Sequence, residues 1–361
     1  MREKSALRRM VSGEGEDKIM LLISFGTRPE YIKIKPLLSV LKDRVEYKLL
    51  FTGQHEDLLK HISGSDVERM RIGSSGNRLD AIVSAILSQE RAPSFENVSH
   101  VLVQGDTTSA FSVALTAFHR KIQVIHLEAG LRTYDLENPY PEEFNRQAIA
   151  RLAHINLCPT DLSAQNLANE RVSGAIHVIG NTVLDNLVGL EPSYENKVVI
   201  TMHRRENHSS MRDWFEAIDR IASKNKNLEF ILPIHPNPEV NKHRDIFKHV
   251  QVVEPMGYEK FIELLAASRL IITDSGGLQE ESSFLRKKSV VCRKTTERTE
   301  GLEHFAILCE TPDLLLAAFE QINADPVPNS SVACPYGDGH ASSRAARIIQ
   351  DDMDMNRGRG L

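Results

Sequence analysis

Several things are scarce in this sequence, and each scarcity excludes something. Its 361 residues include four cysteines, Cys158, Cys292, Cys309 and Cys334, far apart and with no C-x-x-C pair. That argues against a disulfide framework or a thiolate zinc site and fits a reducing compartment. The 14 histidines show no H-x-x-x-H on a helical stretch and no Cys/His cluster, so no metal is expected. No apolar run approaches the roughly 20 residues of a membrane helix. The opening MREKSALRRMVSGEGEDK has charge but no apolar centre and does not read as a secretory signal. Residues 1–18 are therefore expected to be an extension, with the cytoplasm as the default location. Positive charge is not in excess either. With 44 Lys and Arg against 49 Asp and Glu the net charge is -5, leaving no basic field for nucleic acid. An anionic ligand would need locally placed cations.

What the chain does contain is alternation. Hydrophobic content of 41% and charged content of 26% are those of a globular protein, and the length allows two domains with separate cores. The runs IMLLISF, EYKLLF, HVLVQ and QVIHL predict buried parallel strands, separated by helical stretches such as IKIKPLLSVLKD and NRLDAIVSAILSQ. After Gly180 the rhythm restarts with KVVITM, LEFILPI, VQVVE, RLIITD and KSVVCR, again with helices such as RDWFEAIDRIASK between them. This predicts two doubly wound α/β domains, at 19–187 and 188–338, with a hinge near 180–195. Residues 339–361 are read as a C-terminal helix and tail, with ASSRAARIIQDDM crossing back over the domains.

Ligands of open α/β sheets gather beyond the carboxyl ends of the strands, and the polar motifs cluster there. The first strand runs into Gly26-Thr27-Arg28-Pro29-Glu30, with Lys33 a turn later. Gly26 suits a tight turn, Pro29 a helix start, and Arg28 would project into the cleft; a plain strand-to-helix turn reads equally well. Since this is not G-x-G-x-x-G, a dinucleotide site is weakly supported. A second apolar strand ends in Thr273-Asp274-Ser275-Gly276-Gly277 and turns at once into a helix, whose unpaired N–H groups would suit an anion. A structural Gly-Gly turn is the alternative. Glu281, one turn further, could accept hydrogen bonds from ribose hydroxyls. Asp106, Glu128 and Glu142 stand at or beyond successive strand ends of the first half. Singly each could be a helix cap, but carboxylates held together push their pKa values apart and can divide acid from base work. His203 sits between a strand end and Arg204-Arg205, where it could protonate a departing phosphate oxygen while the arginines hold phosphates.

Taken in order, GTRPEYIKIKP, TGQH, QGDTTSA, HLEAGLRT, PEEFNR, GNTVLDN, MHRREN, PIHPNP, TDSGGLQEE, KTTERTEG and PYGDGHAS give a chain that closely resembles the non-hydrolysing UDP-N-acetylglucosamine 2-epimerases over about residues 20–350. The resemblance implies the GT-B fold, with two Rossmann-like domains around a deep cleft and UDP held mainly by the second. It implies Asp106, Glu128, Glu142 and His203 as catalytic residues, and Arg28, Lys33, Ser275, Gly276, Gly277, Glu281 and Arg298 as substrate-binding residues. Phe261 would pack on the uracil. In several members a further UDP-N-acetylglucosamine acts as activator, and Gln54, His55, Arg78, Arg204 and His235 would line that site. Two departures from the family pattern flank Arg298. Thr299 replaces a common proline, and Lys294 stands where an acid is frequent. Relatives acting on other UDP-acetamido sugars share most of these motifs, so the preferred sugar stays open, although HRREN and TTER favour N-acetylglucosamine.

The resemblance further implies a cofactor-free reaction and a homodimer. The C2 hydrogen of an N-acetyl sugar is not acidic, since no carbonyl lies alpha to it. The family solution is elimination of UDP to 2-acetamidoglucal, then protonation of the opposite face and re-addition of UDP. A glycosyltransferase of the same fold, a hydrolysing epimerase and a non-catalytic UDP-sugar sensor are the rival readings.

Overall fold

The computed structural model describes residues 20–53, 67–70, 72, 77–88 and 93–359. A 7-stranded sheet contains β1 (Leu21–Phe25), β2 (Tyr47–Phe51), β3 (Val67–Arg69), β4 (His100–Gln104), β5 (Gln123–Leu127), β6 (Ile155–Cys158) and β7 (Ala175–Val178). Its helices are α1 (Arg28–Leu41), α2 (Arg78–Leu87), α3 (Thr108–His119), α4 (Glu142–Leu152) and α5 (Asp161–Asn169). A 6-stranded sheet contains β8 (Lys197–Thr201), β9 (Glu229–Pro233), β10 (Gln251–Val253), β11 (Leu270–Thr273), β12 (Ser289–Cys292) and β13 (Ala306–Cys309). With it go α6 (Met211–Lys224), α7 (Pro238–Asn241), α8 (Tyr258–Ala267), α9 (Gly276–Phe284) and α10 (Leu315–Ala324). The last helix is α11 (Ala341–Arg359).

Both sheets are parallel, with orders β3-β2-β1-β4-β5-β6-β7 and β10-β9-β8-β11-β12-β13. Strand order reverses beside β1 in one sheet and beside β8 in the other, and the loops leaving those switch points form a crevice for a ligand. Central strands are buried on both faces, which is why their sequences are continuous apolar runs, as in LLISF of β1. The strands singled out from the sequence are all present. Those not singled out, β3, β6, β7 and β13, are short, and β3, β7 and β13 lie at sheet edges. The two ends of β7 are exposed, so it never shows an apolar run.

Helix α6 shows the complementary logic. Met211, Trp214, Phe215, Ile218, Ile221 and Ala222 recur at helical spacing and all are buried. At the start of α1, Thr27 caps the helix and its hydroxyl donates to Glu30 Oε2 (2.7 Å), which also accepts from the Gly26 and Thr27 amides (2.9 and 2.6 Å). Pro36 lies inside this helix and has no N–H to offer the carbonyl of Ile32. That carbonyl accepts instead from Asn186 Nδ2 at 3.1 Å, so the proline ties α1 to the connection between the sheets.

The chain passes between the sheets after β7 and returns before α11, and the two crossings touch. The Asn181 amide donates to the Tyr336 carbonyl (2.8 Å), and Gly180 (φ +89°) lies against Gly337 (φ +130°). A Cβ on Gly337 would sit 3.1 Å from the Gly180 Cα, so both bulk and backbone conformation favour glycine there. Helix α11 then buries Ala345, Ala346, Ile349 and Met353 in the core of the first sheet. Two Rossmann-like sheets with a returning terminal helix are the GT-B arrangement the resemblance implies.

Candidate active site

The loops after β1, β4 and β5, the start of α4, the loop after β8 and the start of α9 meet in one cavity of about 510 Å³ between the sheets. Lys33, Asp106, Glu128, Glu142, His203, Arg204, His235, Phe261, Ser275, Gly277, Glu281 and Arg298 all border it. Arg28 faces an adjoining groove that shares Ile32 and Tyr258 with the cavity. Gly276 lies beneath Arg298, where a Cβ would come within 2.6 Å of Nη1. Of the expected activator residues, Arg204 and His235 stand on the wall of this same cavity and Arg78 is exposed at the start of α2. Gln54 and His55 lie outside the described residues.

Glu128 ends β5 with φ +67°, a left-handed backbone that a non-glycine residue adopts at a cost. Its buried carboxylate is surrounded by donors. Lys33 Nζ reaches both oxygens (2.6 and 2.5 Å), Asn181 Nδ2 and Arg298 Nη2 reach Oε1 (3.0 and 3.2 Å), and Gln104 donates to Oε2. Burial alone would raise its pKa, but Lys33 and Arg298 outweigh that and hold it below the usual carboxylate range. Glu142, the first residue of α4, goes the other way, raised first by burial and then by the nearby Asp106. Asp106 is itself gripped by Arg146 through Nε (3.1 Å) and Nη2 (2.5 Å). Glu142 is thus shifted toward holding a proton and Glu128 toward shedding one.

On the other wall, Asp274 ends the second-sheet strand β11 fully buried. It accepts from the His203 amide (3.1 and 2.9 Å), the Arg204 amide (2.9 Å) and Asn207 Nδ2 (3.2 Å). This carboxylate shapes the loop that presents His203, and the sequence reading passed it over. An acid at a strand end, one residue before Ser-Gly-Gly, was the available signal. The His203 ring stacks on His235 with centroids 5.0 Å apart and planes 15° apart. Burial lowers its pKa below the ordinary 6.5, although Asp274 pulls it back up.

Two consecutive glutamates of α9 would repel an anion at the helix start if left unpaired, and both have partners. Glu280 pairs with Arg298 Nε at 2.6 Å, and Glu281 accepts from Tyr258 Oη at 2.7 Å. Burial raises them to about 6 and about 7. Ser275, at the N-cap, makes no side-chain cap. The first amides of α9 are therefore not covered by their own cap residue, which suits a phosphate. Arg298 places its guanidinium among Glu280, Glu297 and Glu128 while still bordering the cavity. Among the described residues no group of three or more His, Cys, Asp or Glu is arranged to hold a metal, and no helix is long and apolar enough to cross a membrane.

With this geometry in place, similarity to known proteins is informative. The profile of the family described as UDP-N-acetylglucosamine 2-epimerase matches residues 40–350. The chain belongs to that family. A UDP-N-acetylglucosamine 2-epimerase of Campylobacter jejuni is 34% identical over 91% of this chain and 97% of its own length. One from Bacillus subtilis is 35% identical over 91% and 94%. The crystal structure of UDP-GlcNAc 2-epimerase from Neisseria meningitidis bound to UDP-GlcNAc superposes with a TM-score of 0.84 at 32% identity, covering 92% of this chain and all of that one.

Proposed function

We propose that the chain interconverts UDP-N-acetylglucosamine and UDP-N-acetylmannosamine, without a cofactor and without net hydrolysis. The observation that carries this reading is one cavity with the oppositely shifted Glu128 and Glu142 on one wall, and His203 and the α9 N-terminus on the other. The diphosphate would lie at the start of α9, near Ser275 and Gly277, with Arg204 adding positive charge. Phe261 would pack on the uracil, and Glu281 would accept from the ribose.

In this reading the anomeric C–O bond breaks as a carboxylate on the first wall removes the C2 proton, and the electron pair left on C2 forms the C1–C2 double bond of 2-acetamidoglucal. UDP departs with the bonding electrons. His203, lowered by burial, gains a proton more readily once a diphosphate lies beside it, and can then supply it to the leaving oxygen. A proton delivered to the other face of C2 and re-addition of UDP at C1 complete the inversion. The ionised Glu128 and the proton-favouring Glu142 supply the two protonation states this needs. Closure between the sheets excludes water, which would otherwise attack C1 and release free sugar. The product would serve as a precursor for surface polysaccharide.

A homodimer in the cytoplasm completes the proposal. Tyr134, Tyr140 and Phe144 present exposed rings around the start of α4, a surface a second copy would cover; light scattering at assay concentration gives the oligomeric state.

The test is proton NMR of the purified protein with UDP-N-acetylglucosamine in deuterated water, with nothing else added. UDP-N-acetylmannosamine carrying deuterium at C2 is the expected product. Accumulating UDP with free N-acetylmannosamine would mean hydrolysis. Unchanged substrate in a folded, UDP-binding protein would move the assignment to another UDP-acetamido sugar or to a transferase.

A further inference from the structure

We propose that Asn181 is a positioning residue for the Glu128 carboxylate, donating one amide hydrogen to Glu128 and the other to Glu280 so that acids from both domains are held in one register. The proposal rests on the reading of Glu128 as an acid/base group. Asn181 does not border the cavity, so any effect on the reaction passes through the groups it holds.

Its orientation is determined from several sides. Asn181 Oδ1 accepts from the Val183 amide (3.2 Å) and caps the turn at Thr182–Leu187. With the oxygen committed, Nδ2 must face the acids, reaching Glu128 Oε1 at 3.0 Å and Glu280 Oε2 at 2.5 Å. A flipped amide would set its oxygen against two carboxylate oxygens. The main-chain amide is held by Tyr336, where the two crossings between the sheets meet. Asn181, Glu128, Arg298 and Glu280 thereby close a ring, Arg298 bonding the same two glutamates at 3.2 and 2.6 Å. A neutral residue with two hydrogens can join two anions without adding charge, which neither a lysine nor a carboxylate could do there.

The titratable groups facing Glu128 are Lys33 of α1, Arg298 of the loop after β12, Glu280 of α9 and the buried His126 of β5, lowered to about 4. Glu280 faces Arg298, Glu128 and Lys33. Removing the Asn181 amide takes a donor from ionised Glu128 and makes it easier to protonate. Glu280, raised to about 6, is already neutral where the lowered Glu128 titrates, so removing its charge leaves the Glu128 midpoint in place. A residue that only supported the fold would not move that midpoint in a defined direction.

The deciding variants are Asn181→Ser, whose hydroxyl keeps the cap but supplies neither donor to the acids, and Glu280→Gln. For each, kcat and KM are followed between about pH 4 and 8, together with the carboxyl titration of Glu128 by carbon-13 NMR, assigned by comparison with Glu128→Gln. Asn181→Ser is expected to lower kcat by about 10–100-fold with KM within about threefold, and to move the acid limb and the Glu128 midpoint to higher pH. Glu280→Gln is expected to leave the Glu128 midpoint unshifted, because Glu280 is neutral at that pH. Unshifted Glu128 titration in Asn181→Ser, or an equal upward shift in Glu280→Gln, overturns the proposal. Absence of turnover in the wild-type protein would instead overturn the functional reading, while the NMR titration still decides what Asn181 does.

Discussion

At the scale of single residues, the site depends on neighbours that push like groups apart. Asp106→Asn, Glu128→Gln, Glu142→Gln and His203→Asn are each expected to lower turnover by about 10²–10⁴-fold, the usual worth of a general acid or base. UDP affinity, measured by calorimetry, should largely survive in each, because the proposed diphosphate contacts at the start of α9 and at Arg204 remain. Glu281 makes a separate prediction. Burial raises its carboxyl to about 7 while the hydrogen bond from Tyr258 lowers it. If the ionised form accepts from ribose, UDP affinity should rise as pH climbs through about 7. Tyr258→Phe should displace that rise to higher pH, and Glu281→Gln should abolish it. Calorimetric titrations on either side of neutrality, with Glu281→Gln correcting for ionisation of the UDP phosphate, read all three.

At the scale of elements, the strand-to-helix turns do the placing. Gly276 begins α9 directly below the Arg298 guanidinium, and three carboxylates prevent that guanidinium from moving aside. Gly276→Ala is therefore expected to cost about 1–3 kcal/mol of stability, as overpacking usually does, and to weaken UDP binding. A denaturation midpoint and a UDP titration on the same variant check both. These turns were legible in the sequence because an apolar run ending in small or charged residues marks a parallel strand meeting a ligand. Asp106, Glu128 and His203 are picked out that way and Glu142 by its place in the loop-to-helix segment PEEFNR, and all four border the cavity. Asp274, Glu280 and Asn181 were not assigned roles. Their work is to bond residues 53 to 99 positions distant, and linear spacing carries no trace of such partners.

At the scale of the whole molecule, α11 fastens the second half of the chain back onto the first sheet. Besides its apolar face, Asp352 accepts from His100 Nε2 (3.0 Å) and His154 Nε2 (3.1 Å). The hydrogen bond to Asp352 raises His154 above its ordinary 6.5. Burial would raise Asp352, but its bonds to the two histidines hold it well below its ordinary 3.8. The raised histidine contributes stability that is full below pH 6.5 and is lost as pH rises through its folded value. The depressed aspartate contributes stability that is present above pH 3.8 and is lost as pH falls through its folded value. The melting-temperature gap between wild type and Asp352→Asn should therefore be widest between pH 3.8 and 6.5 and narrow above it. Because His154 is 44% exposed, solvent screening keeps its share to about 1 kcal/mol or less.

By itself, the sequence determined the α/β rhythm, the two parallel sheets, the family and most of the polar groups that border the cavity. Those features follow from local periodicity and from residues adjacent to strand ends, and both are written along the chain. Tertiary structure alone decided which acid is lowered and which is raised, and how Arg298, Asn181 and Lys33 tie the two sheets together around Glu128. A buried group's pKa is the difference between a desolvation cost and the fields of its neighbours, and only folding determines which neighbours those are.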